Sequence, residues 1–424
     1  MTSLSLYESL APGEIRVFSI DYATEGSITG SLRTINIAAN NGSLGFFTRL
    51  SSPYEALSYY WGDPAKVFSI YCNNQEVRIH ANLQDALVVL RQQCQGVPVW
   101  TDAICINQQD PEERISQIRL MAKIYQRARK VWAYLGNATE GTPKAVAILL
   151  TLCDAAKQLE DRILAQFGEG FVQSSSSRFT GLHHSDRLPP PGAPFWASVA
   201  RLVHGTEYFD RLWVLQEVAF AKEVEFLCGK HRIPWLQVKM LFGVGVAQIA
   251  GMRPLASSGI VPINRSVFEA REFLSNEYFG QVVGSGLNLM DRCIGWILAS
   301  GIFSPEHHDS ITFAKTASDM AEKHKMTHFR NLLDFSAQQT CSEPKDRILA
   351  MLGLFDAKLG KTSYPWTGEE STEKIYIAAF YYLINGDASL QMLSMVPVDT
   401  RKNPQLPSWC PDFDYTRDKK NTSY

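Results

Sequence analysis

The chain has 424 residues, of which 45% are hydrophobic and 20% are charged, with a formal net charge of −2. This length and composition are typical of a folded protein with two or three domains, and they exclude a disordered chain. The near-balance of 41 basic and 43 acidic residues gives no basic surface, so neither nucleic acid nor an anionic membrane is expected as the main partner.

The sequence contains no targeting or metal-binding signature. No window approaches the roughly 18 consecutive apolar residues of a membrane span, and residues 1–14 lack the basic and apolar regions of a secretory signal. The eight cysteines form no Cys-x-x-Cys pair, and no Cys/His set has zinc-site spacing. We therefore expect reduced thiols, a cytoplasmic location, no membrane span and no metal.

The first hundred residues favour strands, followed by one helix. Short apolar runs bounded by turn residues predict strands at 14–20, 33–38, 54–60, 68–72 and 76–79. The strand at 54–60 ends in the turn sequence Trp-Gly-Asp-Pro, and Asn82 is the predicted N-cap of a helix over 83–93. The strands before residue 50 are interpreted as an N-terminal β segment.

Residues 97–135 form the clearest structural unit in the sequence. A strand is predicted at 97–106, then a polar loop, a long amphipathic helix and a second strand at 131–135. Asp110 is suited to cap the helix and Pro111 to occupy its first position. In parallel α/β sheets ligands bind at the carboxyl ends of the strands, where this loop lies.

The remainder of the chain completes an α/β pattern and then becomes helical. Residues 168–193 hold a serine run and three consecutive prolines, which predict an exposed insertion. Domain boundaries are placed to give an N-terminal β segment (1–50), an α/β domain (51–235) and a mainly α C-terminal domain (236–424). Helices are predicted at 144–167, 196–204, 210–221, 235–250, 267–277, 282–299, 312–320, 327–338, 346–354 and 371–385, and a strand at 224–228.

Three motifs carry a resemblance to a known family. Residues 54–62 (YEALSYYWG), 100–108 (WTDAICINQ) and 211–217 (RLWVLQE) resemble the three motifs of the fungal heterokaryon-incompatibility (HET) domain. Residues 344–354 and 407–412 also match segments common in full-length HET proteins. The pattern departs from the family at Thr101, which replaces an aliphatic residue, and at Tyr60.

The resemblance implies a fungal protein of allorecognition and programmed cell death. It also implies a distant similarity to the TIR domain, and hence a flavodoxin/TIR-like parallel sheet with flanking helices. In TIR domains that cleave NAD, a Glu on a helix with a Trp-Cys-x-x-Glu-like motif performs the chemistry. Residues 213–217 occupy the comparable place, which makes Glu217 the first catalytic candidate.

Glu217 and Asp102 are the two predicted catalytic carboxylates. Cleavage of a nicotinamide–ribose bond passes through an oxocarbenium-like state that a carboxylate stabilises; the alternative for Glu217 is a structural pair with Arg211 or a lysine. Asp102 is costly in an apolar strand unless it is paired. Arg114, Arg211 or a helix N-terminus could pair with it, and a bracing role and a ligand role remain equally open.

Ten further residues are predicted to bind a ligand. An aromatic ring such as Trp61 can stack on a base, a glycine lets the backbone approach a phosphate, and an arginine can bind one. Cys105 has no neighbouring base in the sequence and is expected to be a buried, inert thiol. The ligand-binding set is Tyr60, Trp61, Gly62, Asp63, Asn107, Gln108, Arg114, Arg211, Trp213 and Gln216.

Three functions are compatible with these features. The first is an incompatibility protein that binds or hydrolyses an NAD-like nucleotide in a TIR-like cleft, with NAD as substrate and no certain cofactor. The second is a non-catalytic module that signals by homotypic assembly, which requires a homo-oligomer. The third is a small-molecule enzyme of fungal secondary metabolism on the same scaffold, acting on a metabolite.

Overall fold

The computed structural model describes residues 6–22, 26–37, 54–94, 96–147, 206–234, 339–353, 370–387 and 403–414, with residues 150, 202 and 368. The chain divides into two compact units. The first comprises residues 1–136, 207–224 and 321–424, and the second comprises 137–206 and 225–320. The first unit therefore unites the N-terminal strands with the end of the chain. The predicted insertion at 168–193 and the predicted helices at 196–204 and 235–338 lie wholly or almost wholly outside the described residues.

The first unit is built on a mixed β-sheet. Its strands are ordered β5-β4-β2-β1-β6-β3-β7. Strand β3 runs parallel to both β6 and β7, whereas β1 is antiparallel to β2 and β6, and β4 is antiparallel to β5. The strands are β1 (Glu14–Ile20), β2 (Thr29–Asn36), β3 (Glu55–Tyr59), β4 (Val67–Cys72), β5 (Gln75–His80), β6 (Val99–Trp100) and β7 (Val131–Gly136).

Helices flank this sheet, so the predicted α/β class is confirmed, but the sheet is mixed and not the parallel sheet that the resemblance implied. The α-helices are α1 (Ala81–Gln93), α2 (Asp102–Cys105), α3 (Pro111–Arg127), α4 (Val214–Ala219), α5 (Asp346–Leu349) and α6 (Thr372–Asp387). A 3-10 turn over Glu207–Asp210 precedes α4. Strands β8 (Val224–Cys228) and β9 (His231–Pro234) form an antiparallel hairpin, which belongs to the second unit from Glu225 onward.

The core lies against β3. Every residue of this strand is buried, as expected for a central parallel strand covered on both faces. Helix α3 buries the stripe of Met121, Ile124 and Tyr125, which recurs at intervals of three to four residues and so occupies one helix face. Tyr125 additionally donates a hydrogen bond to the carbonyl of Leu57 at 3.3 Å. The helix predicted to be amphipathic therefore turns these three residues toward the core.

The predicted start of α3 is confirmed, but that of α1 is wrong. The Asp110 carboxylate accepts hydrogen bonds from the first-turn N–H groups of Glu112 and Glu113, both at 3.0 Å, and Pro111 follows as the first helical residue. Helix α1 begins two residues earlier than predicted, at Ala81. Asn82 lies inside it, and its amide donates to the carbonyl of Tyr60 at 3.1 Å instead of capping the helix.

The strand predicted at 97–106 is wrong for most of its length. Only Val99–Trp100 pairs in the sheet, and the chain then turns into helix α2. The N–H groups of Cys105 and Ile106 bond back to the carbonyls of Thr101 and Asp102, at 2.8 and 3.2 Å. Because Ile104, Cys105 and Ile106 are all buried, the sequence of a buried turn resembles that of a strand.

Among the described residues, no helix is long and apolar enough to cross a membrane. The part of the chain that the structure describes also contains no group of three His, Cys, Asp or Glu side chains able to hold a metal ion. The cysteines described there, including Cys105, are free thiols. Cys105 is fully buried, as predicted, and burial raises the pKa of its thiol to about 12.

Candidate functional site

Polar side chains lie at the carboxyl ends of two parallel strands, β3 and β6. Ser58 and Tyr59 are the last residues of β3, and Asp102 follows the end of β6 after one residue. Helix α4 lies against β3 and adds Glu217, while Arg211 precedes this helix by three residues. The edge where parallel α/β sheets bind ligands therefore holds both predicted catalytic carboxylates.

Glu217 lies at the buried centre of this site and is 2% exposed. Its carboxylate accepts a hydrogen bond from the hydroxyl of Ser58, which also lies 2.7 Å from the Tyr208 hydroxyl. Burial raises the pKa of Glu217 to about 7, against the lowering effects of Arg211 and Ser58, and Asp102 raises it further. Glu217 can therefore change its protonation state near neutral pH.

Arg211 links the two carboxylates electrostatically. Its guanidinium donates to the carbonyl of Tyr59. Burial lowers the pKa of Arg211, but the charges of Glu217 and then Asp102 raise it, and the net shift is upward. The charges of Glu217 and Asp102 thus both act on Arg211.

Asp102 lies at the outer side of the site and is only partly buried. One carboxylate oxygen accepts the indole N–H of Trp61 at 2.9 Å, and the other accepts the N–H of Ala103 at 2.7 Å. The predicted ligand residue Gln108 donates its amide to the Asp102 carbonyl at 2.9 Å. Since the Trp61 side chain is 37% exposed, Asp102 and Trp61 present an aromatic and acidic surface to solvent.

The turn after β3 completes this outer side. Gly62 has φ +80°, and a Cβ there would lie 2.8 Å from the side-chain nitrogen of Asn82, so both backbone and space require glycine. The Asp63 carboxylate accepts the N–H of Ala65 at 2.9 Å and so closes its own turn. Tyr60 is partly buried, and burial and Glu207 raise the pKa of its phenol.

A buried arginine fixes the loop between α2 and α3. Arg16 of β1 forms two hydrogen bonds with Glu113, at 2.6 and 3.0 Å, and a third with the carbonyl of Cys105 at 3.2 Å. The same Glu113 carboxylate accepts the N–H of Asn107 at 2.7 Å. The position of the predicted ligand residue Asn107 therefore depends on a strand at the start of the chain.

Three predicted ligand residues are placed toward residues 339–353. The indole of Trp213 donates to Asp346 at 3.2 Å, and the amide of Gln216 donates to the carbonyl of Ala350 at 2.5 Å. Arg114 is exposed. Burial raises the pKa of Asp346 to about 6, while its hydrogen bond from Trp213 and the charge of Arg114 are among the factors that lower it.

Sequence reasoning missed three residues that hold this site together. Ser58 lies near the end of a predicted strand and Tyr208 lies outside the three motifs, so neither was predicted to contact Glu217. Arg16 did carry a signal, because it is a charged residue within the apolar strand EIRVFSI. A charge buried in such a strand requires a partner, and here the partner is Glu113, 97 residues away.

The raised pKa of Glu217 predicts a specific dependence of folding stability on pH. The side chain titrates near 4.5 when unfolded and near 7 when folded, so between these values only the folded state holds the proton. The stabilising contribution is complete below pH 4.5 and is lost as pH rises through 7, a change on the order of 3 kcal/mol. We expect the free energy of unfolding of the parent, minus that of Glu217→Gln, to fall between pH 5 and 8 in urea titrations. A difference independent of pH would contradict the prediction.

Comparison with known proteins identifies the segment that carries the site. Residues 54–217 match the family model described as heterokaryon incompatibility protein (HET). The chain is also similar to "Heterokaryon incompatibility protein 6, OR allele" of Neurospora crassa, with 27% identity over 201 residues. That match covers 42% of this chain and 28% of the relative, so the chain spans little more than a quarter of the length of this relative. No solved structure matches the chain.

Proposed function

Because residues 54–217 match the HET family model, we propose that the chain acts in an incompatibility-type cell-death response. We further propose that it binds NAD or a related nucleotide at the carboxyl ends of β3 and β6 and hydrolyses the nicotinamide–ribose bond. The name of the Neurospora crassa relative supports the first part. The chemistry of the site supports the second.

The observation that carries the proposal is the environment of Glu217. This buried carboxylate has a pKa of about 7 and lies beside a hydroxyl donor, Ser58, with the charge of Arg211 acting on it. In the reaction the bond between the ribose C1′ and the nicotinamide nitrogen breaks, and nicotinamide leaves with the electron pair. The oxygen of a water molecule then bonds to C1′ and the water releases a proton. An ionised carboxylate stabilises the positive ribose in the transition state, as it does in glycoside hydrolysis.

The outer side of the site has the chemistry to hold the rest of such a nucleotide. The partly exposed indole of Trp61 offers a flat surface on which a base can stack. The Asp102 carboxylate can accept hydrogen bonds from ribose hydroxyls. In this proposal Asp102 orients the substrate and Glu217 stabilises the reacting carbon.

Nicotinamide release from NAD tests the proposed activity. The purified chain is incubated with NAD, and nicotinamide and ADP-ribose are quantified by chromatography. We expect equal amounts of the two products, and a raised melting temperature on adding nucleotide. No release at high protein concentration, together with an unchanged melting temperature, would overturn the proposal. Concentration-dependent oligomers, with Glu217→Ala still active in cells, would favour the homotypic signalling module instead.

A further inference from the structure

We infer that residues 339–353, here called the clasp, position Glu217, and that Gln216 is the residue through which they do so. This inference rests on the proposed function only for its catalytic consequence. The clasp belongs to the same compact unit as the sheet and α4, but it lies outside the HET segment 54–217. It contacts the chain before α4, the N-cap residue Trp213 and, within the helix, Gln216.

The first contact is a pair of main-chain hydrogen bonds. The N–H of Thr340 donates to the carbonyl of Asp210 at 2.5 Å, and the N–H of Leu212 donates to the carbonyl of Thr340 at 3.0 Å. The Thr340 hydroxyl adds a bond to the same Asp210 carbonyl at 2.9 Å. These bonds hold the backbone on both sides of Arg211.

The central contact is made by the side chain of Gln216. This side chain is 2% exposed, and its amide nitrogen donates to the carbonyls of Ala350, at 2.5 Å, and Leu349, at 3.4 Å. A buried amide that loses its partners retains the cost of desolvation, so Gln216 is strongly held in this orientation. It lies against the clasp and not against a solvent-filled opening.

Close packing at the end of the clasp confirms how tightly the two parts fit. A Cβ at Gly353 would lie 2.5 Å from the Cβ of Ala122 and 2.5 Å from the side-chain oxygen of Gln216. Only glycine lets the clasp backbone approach α3 and α4 this closely. The orientation of Gln216 is therefore fixed by hydrogen bonds on one atom and by packing on the other.

Helix α4 needs such support because it is short. It has six residues, and its N-cap residue, Trp213, makes no side-chain capping bond. A helix of this length is unstable on its own. Consecutive residues of a helix point about 100° apart, so Gln216 can reach the clasp while Glu217 reaches Ser58 on β3. Fixing the first side chain sets the rotation of the helix, and the rotation places the second.

The clasp is itself anchored on its other side, and this anchor supplies a matched control. The phenol of Tyr376, on α6, donates to the carbonyl of Pro344 at 2.6 Å. Tyr376→Phe thus removes one hydrogen bond to the clasp without touching α4. Gln216→Leu removes the bonds that join the clasp to α4.

The experiment measures the ionisation of Glu217 through stability. Each variant is made with Glu217 and with Glu217→Gln, and the difference in free energy of unfolding within each pair is followed from pH 4 to 9. The titration of Asp346 cancels in this difference, as do other groups whose environment the change at 217 leaves unaltered. The pH dependence of the difference is fitted with the unfolded pKa held at 4.5, and the fit returns the folded-state pKa of Glu217. In the parent and in Tyr376→Phe, we expect the difference to fall from about pH 4.5 up to a folded-state pKa of about 7. In Gln216→Leu we expect a lower folded-state pKa, and therefore a fall over a narrower pH range.

A folded-state pKa that stays near 7 in Gln216→Leu would overturn the inference, and so would an equal decrease in Tyr376→Phe. If Gln216→Leu does not fold, Gly353→Ala displaces the same side chain by steric contact, and the same decrease is expected. Failure of both variants to lower the folded-state pKa would also overturn it.

The catalytic consequence is tested separately with NAD. A positioning role predicts that Gln216→Leu lowers kcat by roughly tenfold or more while KM stays nearly unchanged. A direct ligand contact by Gln216 instead predicts a raised KM, which would contradict the positioning role. If the parent protein does not hydrolyse NAD, the proposed function fails, but the folded-state pKa of Glu217 in the variants still decides whether the clasp positions this residue.

Discussion

Replacing Glu217 with Gln is expected to lower the rate of nicotinamide release from NAD by at least about a hundredfold. Gln has the size and hydrogen-bonding capacity of the protonated acid but cannot carry the negative charge that the positive ribose requires. The hydrogen bond from Ser58 can be kept, so the variant is expected to fold. The measurement is the initial rate of nicotinamide release at saturating NAD, with circular dichroism to establish folding.

Glu55→Gln is the matched control for this experiment. Glu55 lies on the same strand, β3, is 1% exposed, and accepts the indole N–H of Trp132 at 2.6 Å and the guanidinium of Arg129. It lies at the opposite end of the strand from Ser58. We expect Glu55→Gln to lower stability but to keep the activity of each folded molecule. Equal loss of activity in both variants would show that any buried carboxylate of β3 or α4 matters only for folding.

Removing the positive charge of Arg16 is expected to destabilise the protein by about 3–5 kcal/mol. In Arg16→Leu the carboxylate of Glu113, whose side chain is 9% exposed, would remain buried without its cationic partner. The carbonyl of Cys105 would lose a bond as well. Equilibrium unfolding in urea at pH 7 measures the effect, provided that the transition is two-state.

An exposed ion pair provides the comparison for Arg16. Lys130 and Glu223 are 2.7 Å apart, but the side chain of Glu223 is 59% exposed. Glu223→Gln should therefore cost less than about 1 kcal/mol. The double variant Arg16→Met with Glu113→Leu should recover part of the stability lost in Arg16→Leu, because it leaves no unpaired buried charge. A loss in Arg16→Leu as small as that in Glu223→Gln would contradict the structural role assigned to this pair.

The sequence correctly predicted those helix boundaries that are set by neighbouring residues in the chain. Asp110 and Pro111 mark the start of α3 because a cap and a proline act within one turn of helix. The strand expected at 97–106 was wrong because burial of Ile104 and Cys105 depends on what packs around them. The same apolar residues suit a buried turn or a buried strand, and only the surrounding sheet decides.

The motifs in the sequence predicted which residues form the candidate site, but they did not predict the contacts between these residues. The motif at 211–217 indicates Glu217 as a catalytic candidate, but the hydrogen bond to its carboxylate comes from Ser58, 159 residues earlier. No periodicity relates two such positions. The partners of Gln216 are main-chain carbonyls. Since every residue type has a main-chain carbonyl, the sequence of the clasp cannot indicate that it binds Gln216.

The distance along the chain between α4 and the clasp has a consequence for synthesis. Gln216 precedes its partner Leu349 by 133 residues, which a ribosome translating about 5–20 residues per second needs on the order of ten seconds to add. During that interval the nascent chain already contains Ser58, Asp102 and Glu217 but not the segment that holds α4 in place. The carboxylate site therefore becomes complete only after the clasp has been translated, and a chain that stops before residue 339 carries the motifs of the site without its support.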